Sequence, residues 1–265
     1  MLTIAPEPPI WKAVLGFDFD DTLMLRHGKP RLDPEFFDCV QWVRSNYGAA
    51  WGICTGRSLY QLVEGFNEAK FPILPDFVVA REREIYFPGQ FGRWVGHDDW
   101  NQLCEKEHKK LFRKAKRPLK KVQKFVEKET DGRWVSMEGD PAGIIAATVD
   151  EMEEILGFVE ELNFPSEVAY ERNGIYLRFS HRQFSKGTCL VESAARWDVS
   201  PESILAVGDN YNDLSMLQPA VCSASGCPAN AVPEVRHYVA NRGGKVASKD
   251  GSRGVMEILG HYFDQ

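Results

Sequence analysis

Five consecutive residues without a charge, Ala13 to Phe17, run straight into Asp18-Phe19-Asp20-Asp21-Thr22. A short apolar run of this kind is a buried strand, and side-chain alternation puts Asp18 and Asp20 on one side of its carboxyl end. The pattern recurs. Residues 49 to 54 end in Thr55-Gly56-Arg57, residues 77 to 80 give a third short run, and residues 204 to 207 end in Gly208-Asp209. Helical patterns lie between. Asp33 and Pro34 open one that carries Phe36, Phe37, Val40 and Val43 and that Gly48 closes, Ser58 starts another, and Ser185 caps a third with Lys186 in its first turn. Residues 220 to 222 and 237 to 240 read as further short strands, and a last helix begins near Ser252. Strands alternating with helices predict an α/β fold with a Rossmann-like parallel sheet and ligands beyond the carboxyl ends of its strands.

Between about residues 84 and 185 the character changes. Residues 106 to 128 hold 11 of the 32 Lys and Arg and two acids. Residues 134 to 137, 143 to 149, 168 to 170 and 175 to 179 read as strands, and Asp150 with Glu153 resembles a capping box opening a helix. This block predicts a separate α+β domain inserted into the first. The basic stretch reads as a solvated helical face over Leu111, Phe112, Val122 and Phe125, and a net charge of −6 for the whole chain argues against nucleic acid as a partner.

No run of 18 apolar residues occurs, so no membrane partner is expected. The first nine residues carry three prolines and no basic segment and do not read as a signal peptide. Six cysteines without a C-x-x-C pair suit reduced, structural thiols in a cytoplasm, and six isolated histidines lack zinc-ligand spacing.

The strand-end clusters carry the chemistry. A carboxylate can attack phosphorus, and a second can protonate the leaving group and later activate water. Two carboxylates facing a phosphate dianion need a cation, and Asp209 and Asp213 add the hard oxygens that Mg²⁺ prefers. Thr55 offers a hydroxyl, and Lys186 a positive charge at a helix start that already favours phosphate. Each piece alone has a plainer reading as turn or solvated surface; their conjunction at strand ends is what carries weight.

Four segments together resemble the haloacid dehalogenase-like hydrolases. They are Val14-Leu15-Gly16-Phe17-Asp18-Phe19-Asp20-Asp21-Thr22-Leu23, Ile53-Cys54-Thr55-Gly56-Arg57, Ser185-Lys186-Gly187 and Ala206-Val207-Gly208-Asp209-Asn210-Tyr211-Asn212-Asp213. Their order is that of the type IIB branch, and residues 75 to 79, 84 to 86 and 99 to 101 are loosely similar to the sucrose-phosphate phosphatases. The resemblance implies a catalytic core of residues 1–84 and 184–265 with a C2-type cap of residues 85–183. It implies Asp18 as nucleophile and Asp20 as general acid/base, and a Mg²⁺ site of Asp18, Asp20, Asp209 and Asp213, with the main-chain carbonyl as the Asp20 ligand and Asp213 in support. Thr55, Gly56, Lys186 and Asn212 would bind phosphate.

The sequence departs from the family at Asp21, at Ala80-Arg81-Glu82-Arg83 and at Arg178, and Arg57, Arg81 and Arg178 are the candidates for substrate specificity. The expected activity is hydrolysis of a small phosphorylated metabolite, a sugar phosphate above others, through an aspartyl-phosphate. The alternatives are a sugar phosphomutase with the same nucleophile and a non-catalytic metabolite-binding regulator. Trp94, Trp100 and Trp134 are candidates to stack on a sugar, against a plainer role in packing.

Overall fold

β1 (Ala13–Phe17) is paired in parallel on both sides in the computed structural model, which describes residues 10–137 and 140–263. The N-terminal segment read above for a signal peptide lies outside the described residues. From β1 the chain runs through α1 (Glu35–Tyr47), β2 (Ala49–Cys54), α2 (Leu59–Glu68) and β3 (Phe77–Ala80). It then turns back in β4 (Glu84–Pro88) and β5 (Trp94–Gly96) before entering α3 (Asp98–Lys114).

The intervening segment comprises α4 (Lys116–Glu129), β6 (Arg133–Met137), β7 (Asp140–Ile145), α5 (Val149–Glu160), β8 (Val168–Asn173) and β9 (Tyr176–His181). The chain ends with α6 (Lys186–Ala195), β10 (Ile204–Val207), β11 (Ala224–Cys227), α7 (Pro233–Asn241), β12 (Lys245–Val246) and α8 (Gly251–Phe263).

The large sheet has the order β12-β11-β10-β1-β2-β3-β4-β5, parallel from β12 to β3 and antiparallel at β4 and β5. Strand order reverses at β1, between β10 and β2, which makes the carboxyl ends of these strands the expected ligand crevice. Alternation along β1 and β2 splits the core into two layers. Leu15, Phe17, Trp51 and Ile53 face α1 and α8 through Phe36, Val40, Val255 and Ile258. Val14, Ala50 and Cys54 face the other way, onto Leu190, Ala194, Val235 and Val239. A parallel sheet covered on both sides explains why its strands read as unbroken apolar runs.

The chain divides into two compact units, Met1–Asn101 with Ser185–Gln265, and Gln102–Phe184. The expected boundary at residue 84 is thereby moved. β4 and β5 extend the large sheet by backbone pairing, so residues 85–101 belong to the first unit. Trp94 and Trp100 move with them, Trp94 packing against Phe66 and Trp100 donating its indole N–H to the Arg83 carbonyl. The second unit has a four-stranded antiparallel sheet in the order β6-β7-β9-β8. Ile144, Leu177 and Phe179 from this sheet pack with Leu119, Val122, Met152 and Ile155 from α4 and α5. The basic stretch forms α3 and α4, with Leu111 and Val122 buried and Lys109, Lys110 and Lys114 paired with Glu105, Glu107 and Glu167.

Two short runs expected as strands are not strands. Residues 237 to 240 lie inside α7, where Pro233 takes the first turn and Val235 and Val239 fall one turn apart on the buried face. Residues 220 to 222 form a turn, and the strand is β11, just beyond. The cap of α5 is Thr148 rather than Asp150: its side chain accepts the Glu151 N–H at 3.1 Å while Glu151 accepts from Ala147 N–H.

Candidate active site

The backbone N–H of Asp18 donates to the Val207 carbonyl at 2.9 Å, so the β1–β10 ladder itself delivers the carboxylate to the crevice. Thr55 is delivered in the same way, its N–H bonded to Val79 at 2.8 Å beyond the end of β2. α6 begins at the crevice because Ser185 accepts the Thr188 N–H and Thr188 returns the bond, a reciprocal cap that places Lys186 in the first turn. The Lys186 ammonium is fully buried and donates to Asp18 Oδ1 at 2.5 Å and to Asp213 Oδ1 at 2.6 Å.

Asp213 is fixed from its other oxygen, which accepts the N–H groups of Asp209 and Asn210 at 2.8 and 2.9 Å. Gly208 is required for this turn, because a Cβ there would lie 2.4 Å from the Cβ of Asp213. Asp209 projects beside them and accepts a hydrogen bond from Thr22 Oγ1 at 2.7 Å.

Carboxylate oxygens of Asp18, Asp209 and Asp213 all lie within 4.8 Å of one another. Burial, with Asp213 next, raises the Asp18 carboxyl well above the usual range against the pull of Lys186. The same two causes push Asp209 to about 7, against Thr22 and Lys186. Burial opposes the charge on Lys186, but Asp18, Asp213 and Glu82 outweigh it and raise its pKa well above the ordinary value. Three carboxylates around one ammonium leave a buried excess of negative charge, and a hard divalent cation such as Mg²⁺ fits that donor set. Asp18 and Asp209 have the oxygens to hold it, whereas Asp213 has both oxygens engaged and acts in support.

Asp20 lies to one side, with both oxygens engaged by Arg57, Nε to Oδ2 at 2.8 Å and Nη2 to Oδ1 at 2.6 Å. Arg57 is itself held: its guanidinium lies over the Phe19 ring at 5.0 Å and Nη1 donates to the Gln61 carbonyl at 3.3 Å. Gly65 makes the room, since a Cβ there would lie 2.8 Å from both Arg57 Nη1 and Phe19. Thr55 Oγ1 accepts the Arg57 N–H at 3.1 Å.

The structure thus brings together Asp18, Asp20, Thr55, Gly56, Arg57, Lys186, Asp209, Asn212 and Asp213 at the strand ends of the first unit. Arg81 pairs with Glu84 at 3.0 Å, and Arg178 lies in the second unit on β9, in register with Glu171 of β8 and Gly143 of β7. Sequence reasoning missed two members, Thr22 and Glu82. Thr22 is the last residue of the acidic cluster and could have been found as a donor beside it. Glu82 is buried and accepts from Asn212 Nδ2 at 2.7 Å, a pairing across 130 residues that no local pattern signals.

The sequence model for haloacid dehalogenase-like hydrolase matches residues 76–259. No curated protein matches the sequence significantly. Among solved structures, the sucrose-phosphatase of Synechocystis sp., determined with sucrose and phosphate, aligns with a TM-score of 0.71 at 17% identity, covering 95% of this chain and 98% of that one. A haloacid dehalogenase-like hydrolase from B. subtilis aligns with a TM-score of 0.63 at 14% identity, covering 95% and 100%. At these identities the alignments establish a common fold. With the matched sequence model, and with the second unit inserted between Thr55-Gly56-Arg57 and Ser185-Lys186 as in the type IIB branch, the chain belongs to the haloacid dehalogenase-like hydrolases.

Proposed function

We propose that the protein is a Mg²⁺-dependent phosphatase of the cytoplasm that hydrolyses a small phosphorylated metabolite, a sugar phosphate above others. The observation that carries this reading is the buried Asp18–Lys186–Asp213 chain beside Asp209, with Asp20 at the same strand end. An Asp18 oxygen attacks phosphorus, forming the aspartyl-phosphate as the bond to the leaving oxygen breaks. Asp20 gives that oxygen a proton, then takes one from water, whose oxygen attacks phosphorus and frees Asp18. Lys186, Thr55, Gly56 and Asn212 hold the phosphoryl oxygens. Mg²⁺ held by Asp18 and Asp209, with the Asp20 carbonyl as a further ligand, would neutralise charge on the phosphoryl group.

Arg178, in the inserted unit, is the residue assigned to substrate specificity. The six cysteines are buried and outside any disulfide, which suits a reducing compartment. Among the described residues, no helix is long and apolar enough to cross a membrane.

The test is phosphate release from a panel of phosphorylated metabolites with Mg²⁺ and with EDTA. Asp18→Asn should abolish release with the fold retained, and EDTA should abolish it in the wild type. Arg178→Ala should raise KM for the preferred metabolite and spare a small aryl phosphate. Full activity in Asp18→Asn would sink the mechanism.

A further inference from the structure

Glu82 stands in the turn between β3 and β4, in a backbone conformation that is unfavourable for a non-glycine residue. Both Arg81 and Glu82 are left-handed, with φ of 53° and 65°. Two backbone bonds pin them there, Arg81 N–H to the Arg57 carbonyl at 2.8 Å and Glu82 N–H to the Thr55 carbonyl at 2.9 Å. The strained turn thus holds a buried acid against the loop that carries Thr55 and Gly56.

Its carboxylate meets two of the four groups assigned to phosphate. Oε1 accepts from Asn212 Nδ2 at 2.7 Å and lies 3.4 Å from where a Cβ on Gly56 would be. These groups come from two separate stretches of sequence, and the Glu82 carboxylate is what they share. Asn212 Oδ1 is buried and has no hydrogen-bond partner among the described residues, and the amide turns its donor end to Glu82.

We propose that Glu82 is the resident anion of the phosphate cradle and sets its affinity: phosphate and phosphoryl groups bind in competition with the Glu82 carboxylate for Asn212. The role rests on the phosphatase reading and deepens it. A site with five acids, Asp18, Asp20, Asp209, Asp213 and Glu82, around one buried lysine disfavours a phosphate dianion, and the acid in direct contact with the cradle lowers product affinity most, by like-charge repulsion at short range. Glu82 thereby speeds phosphate release at the expense of a higher KM.

Glu82→Gln keeps the shape and the acceptor for Asn212 but removes the charge. Glu82→Gly removes the side chain and suits the left-handed backbone, so it keeps the test alive if the glutamine variant folds poorly. Inorganic phosphate binding is measured by calorimetry on the full chain with Mg²⁺, beside KM for the preferred ester. The dissociation constant for phosphate should fall about tenfold in both variants, with KM falling in parallel. Glu105→Gln, an exposed charge on α3, should leave both unchanged.

If the wild type releases and binds phosphate but neither Glu82 variant binds it more tightly, the competition is wrong while the phosphatase reading stands. An equal gain in Glu105→Gln would also overturn it, by assigning the effect to net charge. If the wild type releases phosphate from no ester and binds none, both readings fall together.

Discussion

Asp20 and Arg57 were both singled out in the sequence, but the bond between them is visible only in the structure. In the proposed mechanism Asp20 passes a proton to the leaving oxygen, and both its oxygens are held in a two-pronged bond by a guanidinium that is stacked on Phe19 and tied to Gln61. Arg57 is therefore a positioning residue: it fixes where the acid stands before substrate arrives. Lysine at 57 keeps a charge but loses the fork. Arg57→Lys should lower kcat roughly tenfold to a hundredfold on an alkyl phosphate, whose leaving group needs the proton, and much less on an aryl phosphate, whose leaving group does not. Equal losses on both would assign Arg57 to phosphate binding instead. Asp18, Asp209 and Lys186 were legible because each follows an apolar run or starts a helix. The Asp20–Arg57 and Asn212–Glu82 pairings were not, because partners 37 and 130 residues apart leave no periodic trace.

At the scale of elements, α6 shows the cost of placing a cation where the helix dipole is positive. Lys186 sits in the first turn, which disfavours its charge, and the reciprocal cap between Ser185 and Thr188 together with Asp18 and Asp213 offsets this. Ser185→Ala should cost about 1 kcal/mol, a fall in Tm of roughly 2–4 °C for a chain of this size, and should also weaken phosphate release because Lys186 loses its fixed start. A lower Tm with unchanged activity would limit the cap to stability.

The caps at Ser58 and Ser185 could be read from sequence because the bonding partner follows three residues on. For α5 the same spacing occurs twice, at Thr148 with Glu151 and at Asp150 with Glu153, and only the fold decides between them. Residues 237 to 240 misled because four residues are too few to separate a helical period from a strand. The evidence for a helix lay outside them, in Pro233 and Val235.

For the whole molecule, the buried acids tie stability to pH and to a cation in opposite senses. In the absence of cation Asp209 has its pKa raised to about 7 by burial and Asp213, so the folded chain keeps a proton that the unfolded chain releases near pH 4. That contribution is complete below the unfolded pKa and is lost as pH rises through about 7. Tm measured in EDTA should therefore fall by several degrees between pH 5 and pH 8 relative to Asp209→Asn, which carries no titrating group at this position. With Mg²⁺ the order reverses. The cation binds the ionised carboxylates, so its stabilisation grows as protons leave, and the difference in Tm between Mg²⁺ and EDTA should widen from pH 5 to pH 8. Asp209→Asn should lose most of that difference at every pH. A gap between Mg²⁺ and EDTA that does not change with pH, or one that survives intact in Asp209→Asn, would place the cation away from Asp209.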